Sequence, residues 1–497
     1  MLLKYKNKII TSIIKNRISQ INHFKNNPID VQKEVLLDII AKGRDSFWGK
    51  KYKFNKIESY NDYKKNVPVV KYEDIEKKIL DLKNGEKQVF SSNKTLWFSK
   101  SSGTTNSKSK YIPITKENLL NCHFKGGKDL LSIYCNNYPN TKIFEGKGIM
   151  IGGSFETKNT GDLSAILINN MPPWAQLHKT PSKKITLMKN FEEKIKLICS
   201  KTISENITNI SGVPSWMLLL LNKIIKDNKV KNIKEIWPNL EVFFHGGISF
   251  TPYKTQFNKI CNNSINYLET YNASEGFFAI QDDKYSDDML LMLDYGVFYE
   301  FIETKEFYNN NYKVIDLKDV QKNTNYVILI TTNSGLYRYI IGDTVYFTST
   351  NPFKIKISGR TKYFINTFGE EVIVDNTDKA LEICSKFFNC QIKDYTVAPC
   401  FMKNNKSGYH EWVIEFEKKP ENIKDFNLML DKELQNLNSD YEAKRKDNLI
   451  IKSPVIHVAK NNTFYTWMKS KNKLGGQNKV PRLSNNRIYI EEILKLF

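Results

Sequence analysis

Between residues 148 and 276 the chain repeats one pattern, and that pattern narrows its fold more than any bulk property. Residues 148–153 form a short apolar stretch that ends in a glycine pair, and residues 191–200 and 216–225 carry apolar side chains at helical spacing, separated by Gly212 and Pro214. Residues 241–244 read as a buried strand closed by His245, Gly246 and Gly247, and residues 265–270 as the next strand, running into 271–276. Strand, glycine-rich turn, helix and strand in alternation call for a parallel or mixed sheet with helices packed on it. The fold class expected is α/β, or α+β spread over more than one domain.

The flanking text fits that frame. Residues 1–48 read as two amphipathic helices, with Ile9, Ile10, Ile13, Ile14 and Ile18 on the first and Val35, Leu36, Ile39 and Ile40 on the second. Residues 57–82 are polar and interrupted by Pro68, which suggests short helices. Thr115 is a plausible N-cap for a helix from Lys116 to about Tyr134, and residues 171–174, M-P-P-W, read as a rigid turn. Strand patterns come next at 290–302, 326–331 and 344–347. The text changes character between 357 and 369, which places a boundary there and gives a large domain, 1–361, and a small one, 362–497. A chain of 497 residues needs such a division, since single cores stop growing near roughly 250–300 residues.

Composition serves mainly to exclude. The longest wholly apolar run, 216–221, falls far short of a span, which needs about 20 residues. The first residues, M-L-L-K-Y-K-N-K-I-I, lack the apolar core of a secretory signal. A cytoplasmic protein without a membrane partner is expected. Seven scattered cysteines with no C-x-x-C pair fit reduced thiols, and the histidines form no zinc pattern, so any metal should be held by oxygen. The net charge of +22 invites a nucleic-acid reading. Yet only seven of the 75 basic residues are arginine, the side chain best suited to forking onto phosphates and bases. The excess reads as compositional, and no nucleic-acid partner is expected.

Several short motifs carry chemistry. Residues 99–115 read S-K-S-S-G-T-T-N-S-K-S-K-Y-I-P-I-T, a loop of hydroxyls, one glycine and lysines between two strand ends. Gly103 permits backbone angles that bring N–H groups to an anion, so the loop suits phosphate. A polar hairpin turn is the equal alternative. In Y-N-A-S-E-G, residues 271–276, Tyr271 can stack on a base and Glu275 can hold Mg²⁺, which takes one or two carboxylates with phosphate oxygens. A strand-end turn is the plainer account. Asp343 closes Y-R-Y-I-I-G-D, residues 337–343, where a carboxylate can accept ribose hydroxyls or simply sit at a hairpin tip. Arg360 lies in S-G-R-T-K at the proposed boundary, reaching a ribose or phosphate or marking a surface turn. Lys479 follows a glycine pair in G-G-Q-N-K-V-P-R, either a mobile charge for a transition state or part of a solvated loop.

In this order, the motifs resemble the adenylate-forming ligase superfamily, and most closely its auxin-responsive Gretchen Hagen branch, the acyl-acid amido synthetases. F-F-H-G-G at 243–247 and F-Y-E-F-I at 298–302 add to the likeness. The resemblance implies a large N-terminal domain of β-structure flanked by helices, a small mobile C-terminal α+β domain, and an active site between them. It implies ATP and Mg²⁺ as cofactors, with nucleotide contacts from Ser101, Ser102, Gly103, Thr104, Thr105, Lys110, Gly246, Gly247, Tyr271, Asn272, Ala273, Ser274, Glu275, Asp343 and Arg360. Glu275 would bind the metal and Lys479 would be catalytic. The loop departs from many relatives in carrying Asn106 and Ser107 where they have glycines. The implied reaction is adenylation of a small carboxylic acid followed by acyl transfer to an amino acid, by a monomer. Transfer to coenzyme A is the rival within the superfamily, and a non-catalytic nucleotide or nucleic-acid binding protein is the rival outside it.

Overall fold

A computed structural model describes residues 2–91, 93–102, 109–248, 250–308, 312–361, 364–402, 407–471 and 480–497. Its centre is a 12-stranded mixed sheet. One half is parallel: Lys179–Thr180, Lys147–Met150, Ile207–Gly212, Val242–Gly246 and Asn266–Ala273 lie side by side in that order. Helices Phe191–Thr202, Pro214–Asn228 and Thr251–Ile260 make the crossovers, as parallel neighbours require. These strands include buried runs such as Val242, Phe243 and Phe244 because helices cover the sheet. The other half is antiparallel, from Gly276–Ile280 through Met289–Leu291, Phe353–Arg360, Tyr339–Thr350, Asn325–Thr332 and Val297–Glu303 to Ile315–Asp316. The expected strand, turn and helix alternation is thus a real parallel unit.

The N-terminal 48 residues differ from expectation. Three helices, Leu2–Lys15, Arg17–Asn26 and Pro28–Gly43, replace two, with a further short one at Phe47–Lys51. Pro28 starts the third helix, since it has no N–H to give and a fixed φ suited to a first turn. Leu2–Lys15 and Arg17–Asn26 pack on helix Lys125–Asn137. Arg17 pins that contact, its Nε and Nη2 donating to Asp129 at 2.7 and 2.6 Å. The M-P-P-W stretch forms the short helix Pro173–Gln176 rather than a bare turn.

The loop strands Thr95–Ser102 and Ser109–Thr115 pair antiparallel in a separate four-stranded sheet. Thr115 caps the helix that begins at Lys116, its hydroxyl accepting from the Asn118 N–H. That helix runs Lys116–Asn118, widens to a π-turn over Leu119–Phe124 and continues as Lys125–Asn137. The C-terminal part is a three-stranded sheet of Gln391–Cys400, Tyr409–Lys418 and Val455–Ala459 with helices Val374–Phe387 and Ile423–Leu437. All seven cysteines are free thiols. Among the described residues no helix is long and apolar enough to cross a membrane.

Candidate active site

Crossovers leave ligand space beyond the carboxyl ends of parallel strands. A cavity of about 1740 Å³ lies there, walled by the large sheet, the π-turn helix and the C-terminal part. Gly246 ends its strand against Thr270, and a Cβ at Gly246 would stand 2.4 Å from the Thr270 carbonyl oxygen, so no larger residue fits that pairing unshifted. Gly247 follows with φ +83°, a turn that glycine makes without strain. Next, Asn266–Ala273 folds back on Gly276–Ile280 with Ala273 opposite Gly276. Ser274 and Glu275 therefore form the tip of a two-residue hairpin. Ser274 Oγ lies 2.8 Å from Ser99 Oγ, tying the hairpin to the loop strand.

Of the residues expected from sequence, Lys110, Gly246, Gly247, Tyr271, Asn272, Ala273, Ser274, Glu275 and Asp343 line this one cavity. Ser101 and Ser102 end the strand Thr95–Ser102, whose Lys100 lines the same cavity. Arg360 stands opposite Asp343 in the pairing of Tyr339–Thr350 with Phe353–Arg360. Gly103, Thr104, Thr105 and Lys479 lie outside the described residues.

Tyr271 and Asp343 take up definite surroundings. Tyr271 is only 5% exposed, its ring packs edge-on against Phe278, and its hydroxyl donates to Asp343 Oδ2 at 2.5 Å. Tyr271 thus orients Asp343 through its hydroxyl while it lines the cavity. Asp343 itself is not at a hairpin tip but inside a long strand, where Gly342 takes φ +95°. Arg338, from the same motif, turns away into the core. Its Nε donates to both Glu300 oxygens at 3.1 and 3.0 Å, and its Nη1 to the Lys64 and Val67 carbonyls. The 337–343 and 298–302 motifs therefore meet as one buried ion pair, while residues 340–343 line the cavity with Asp343 as their charged member.

Other cavity residues gave no sequence signal. His123 sits in the π-turn, buried, with Nδ1 3.1 Å from Asn272 Oδ1, and burial pushes its pKa down to about 4, so it is neutral. Lys179 and Asn209 line the far wall. Asp440, on the C-terminal helix Ser439–Arg445, has its carboxyl pushed up to about 7 by burial, with Glu371 and Asp162 adding to the rise and Lys444 and Lys100 opposing it. Each is a lone polar residue in ordinary text, and only folding shows what surrounds it.

For Mg²⁺ the donor set fits a hard ion held chiefly by phosphate and water. Glu275 offers one carboxylate on the cavity wall, 6% exposed, and among the described residues no cluster of three His, Cys, Asp or Glu forms a protein cage.

The fold is a multidomain α/β architecture with one large cavity between its central sheet and its C-terminal part. Family models for the GH3 family N-terminal, central and C-terminal domains match residues 17–265, 290–360 and 375–488. The chain belongs to the GH3 family. It is similar to the 4-substituted benzoates-glutamate ligase GH3.12 of Arabidopsis thaliana, 24% identical over 548 aligned positions that cover 93% of this chain and 94% of that one. It is also similar to the indole-3-acetic acid-amido synthetase GH3.4 of the same plant, 23% identical over 93% of this chain and 90% of the relative. Among solved structures, the GH3.15 acyl acid amido synthetase in complex with 2,4-DB superposes with a TM-score of 0.63 at 18% identity, covering 98% of this chain and 96% of that one. A 2-hydroxyisobutyryl-CoA ligase does so at 0.55 and 13% identity, covering 94% and 91%.

Proposed function

We propose that this protein is an ATP-dependent acyl-acid amido synthetase. It adenylates a carboxylic acid with release of pyrophosphate, then transfers the acyl group to the amine of an amino acid, forming an amide. The observation that carries this reading is the single cavity, which brings the Tyr271–Gly276 hairpin, Gly246–Gly247 and Asp343 together with an apolar recess under the π-turn helix. Relatives named as amido synthetases align along nearly the whole chain.

In the first step a carboxylate oxygen attacks the α-phosphorus, the bond to the bridging oxygen breaks and pyrophosphate leaves. In the second the amine nitrogen attacks the acyl carbonyl, loses a proton, and AMP leaves. The protein's work is positioning and electrostatics. Asp343, held by the Tyr271 hydroxyl, accepts the ribose hydroxyls. Arg360 lies beside the ribose, and Ser101, Ser102, Gly103, Thr104, Thr105 and Lys110 grip the phosphates. Glu275 holds Mg²⁺, which when bound offsets charge on the phosphate oxygens. Residues 362–497 form a small domain whose rotation carries Lys479 to and from the adenylate. The enzyme works as a cytoplasmic monomer.

The test is pyrophosphate exchange into ATP across a panel of carboxylic acids, followed by AMP release with amino acids or coenzyme A added. Acid-dependent exchange and acceleration by amino acids are expected. Acceleration by coenzyme A alone would replace the amide with a thioester. Lys479→Ala should slow adenylation about a hundredfold, the scale of losing one transition-state donor, with the KM for ATP little altered. An unchanged rate removes Lys479 from catalysis.

A further inference from the structure

Two lysines have amines buried deep in the large domain, and they are not alike. Lys194 donates to the Gly152 and Gly153 carbonyls at 2.9 and 3.3 Å and so closes the turn after Lys147–Met150. Lys179 makes one long contact, Nζ to Asn209 Oδ1 at 3.4 Å. No described carboxylate pairs with it, and burial alone pushes its pKa down to about 8. Its partly accessible side chain lines the cavity. A cation in that position is costly unless something compensates it.

The surroundings are shaped around this amine. Lys179 stands opposite Gly148 in the edge pairing, and its side chain crosses that strand to reach Asn209 on the next. A Cβ at Gly148 would lie 2.8 Å from Lys179 Nζ and 2.2 Å from Asn209 Oδ1, so the missing side chain is what admits the amine. Beside it, His178 lines the cavity with its Nε2 buried and unpartnered. Leu131, Phe144, Met150 and Phe244 give the same recess apolar walls.

Register places this group far from the nucleotide end. Asn209 stands opposite Val242, four residues before Gly246. At roughly 3.3 Å per residue the amine lies about 13 Å below the glycine turn. Lys179 is thus out of reach of a carboxylate reacting beside Ser274 and Glu275.

We infer that Lys179, seated over Gly148 and beside Asn209, binds a second carboxylate at the distal end of the acid substrate, so that the enzyme selects dicarboxylic acids with an apolar middle. The distance from the amine to the glycine turn corresponds to roughly ten carbon–carbon bonds in an extended chain. The inference rests on the adenylation reading for the position of the reacting carboxylate.

The experiment compares straight-chain dicarboxylic acids with monocarboxylic acids of equal length, from six to twelve carbons, in pyrophosphate exchange and in calorimetric binding without ATP. Wild type should favour the dicarboxylate by at least tenfold in kcat/KM near the longer end. Lys179→Met and Lys179→Gln should collapse that ratio by tenfold or more, chiefly through KM, and calorimetric affinity for the dicarboxylate should fall in parallel. Lys179→Met should melt no lower than wild type, because an uncompensated cation is removed, whereas a merely structural lysine would lower the melting temperature. Exchange with monocarboxylates but no dicarboxylate preference overturns the inference and leaves adenylation standing. Dicarboxylate binding lost in Lys179→Met, without exchange for any acid, supports the anion site and overturns adenylation. A ratio unaltered by both substitutions overturns the role of Lys179.

Discussion

Arg338 and Asp343 stand five positions apart in one motif and have opposite fates. Asp343 faces the cavity under the Tyr271 hydroxyl, while Arg338 neutralises Glu300, buried at 1% exposure and also holding Tyr60 Oη at 3.0 Å. Arg338 also has φ +46°, so its backbone and its side chain are both committed to the core. Breaking a buried pair by deleting one partner leaves an uncompensated charge and costs about 3–5 kcal/mol. Arg338→Met should therefore lower unfolding free energy by that amount in urea titration, and adding Glu300→Leu should recover much of it. A single-variant loss under about 1 kcal/mol would show the pair to be dispensable. In sequence Arg338 is one residue of the Y-R-Y-I-I-G-D motif, and the choice between ligand and core depended on residues 64, 67 and 300, which only the fold brings near.

At the scale of elements, the legible parts were those with strong local chemistry. Alternating strands and glycine turns specified the parallel unit, and Thr115 specified the helix start, because both are written in neighbouring residues. The π-turn at Leu119–Phe124 was not legible, since it depends on packing against the distant hairpin around Asn272, and the strand pattern read at 344–347 extends through Gly342 to Tyr339 because Asn325–Thr332 and Phe353–Arg360 pair with it on both sides. That π-turn sets His123 against Asn272, where regular helical spacing would have turned the ring elsewhere. The carbonyl of Thr270 fixes the Gly246 position in the same nonlocal way. Gly246→Ala should cost about 1–3 kcal/mol, the usual scale of forced overpacking, and raise the KM for ATP, because the strand end that forms the cavity wall must move. Urea unfolding with parallel ATP kinetics checks it, and unaltered values would mean the two strands can part freely.

Across the whole molecule, the contact between the C-terminal helix Ser439–Arg445 and the strand Thr95–Ser102 puts titratable groups of both parts together. Asp440 lies there with a pKa near 7, raised chiefly by burial and also by Glu371 and Asp162, while Lys444 and Lys100 hold it lower. Glu269, on the cavity wall of the large sheet, is likewise pushed up to about 7 by burial and by Asp287, against Lys356. Each carboxyl binds its proton more tightly in the fold than in the open chain, where about 4 is usual. Their contribution is full below that unfolded value and is lost as pH rises through about 7. Stability should consequently decline between about pH 4 and 7 and level off above about pH 8, the melting temperature falling by a few degrees. Asp440 governs the part of this loss that loosens the two halves of the cavity, so Asp440→Asn should flatten the decline and hold the halves together at high pH. Melting curves across that range, with small-angle scattering to read compaction, distinguish the two carboxyls: Glu269→Gln should flatten the melting curve without altering the scattering. A decline that neither substitution changes would place the titrating group elsewhere.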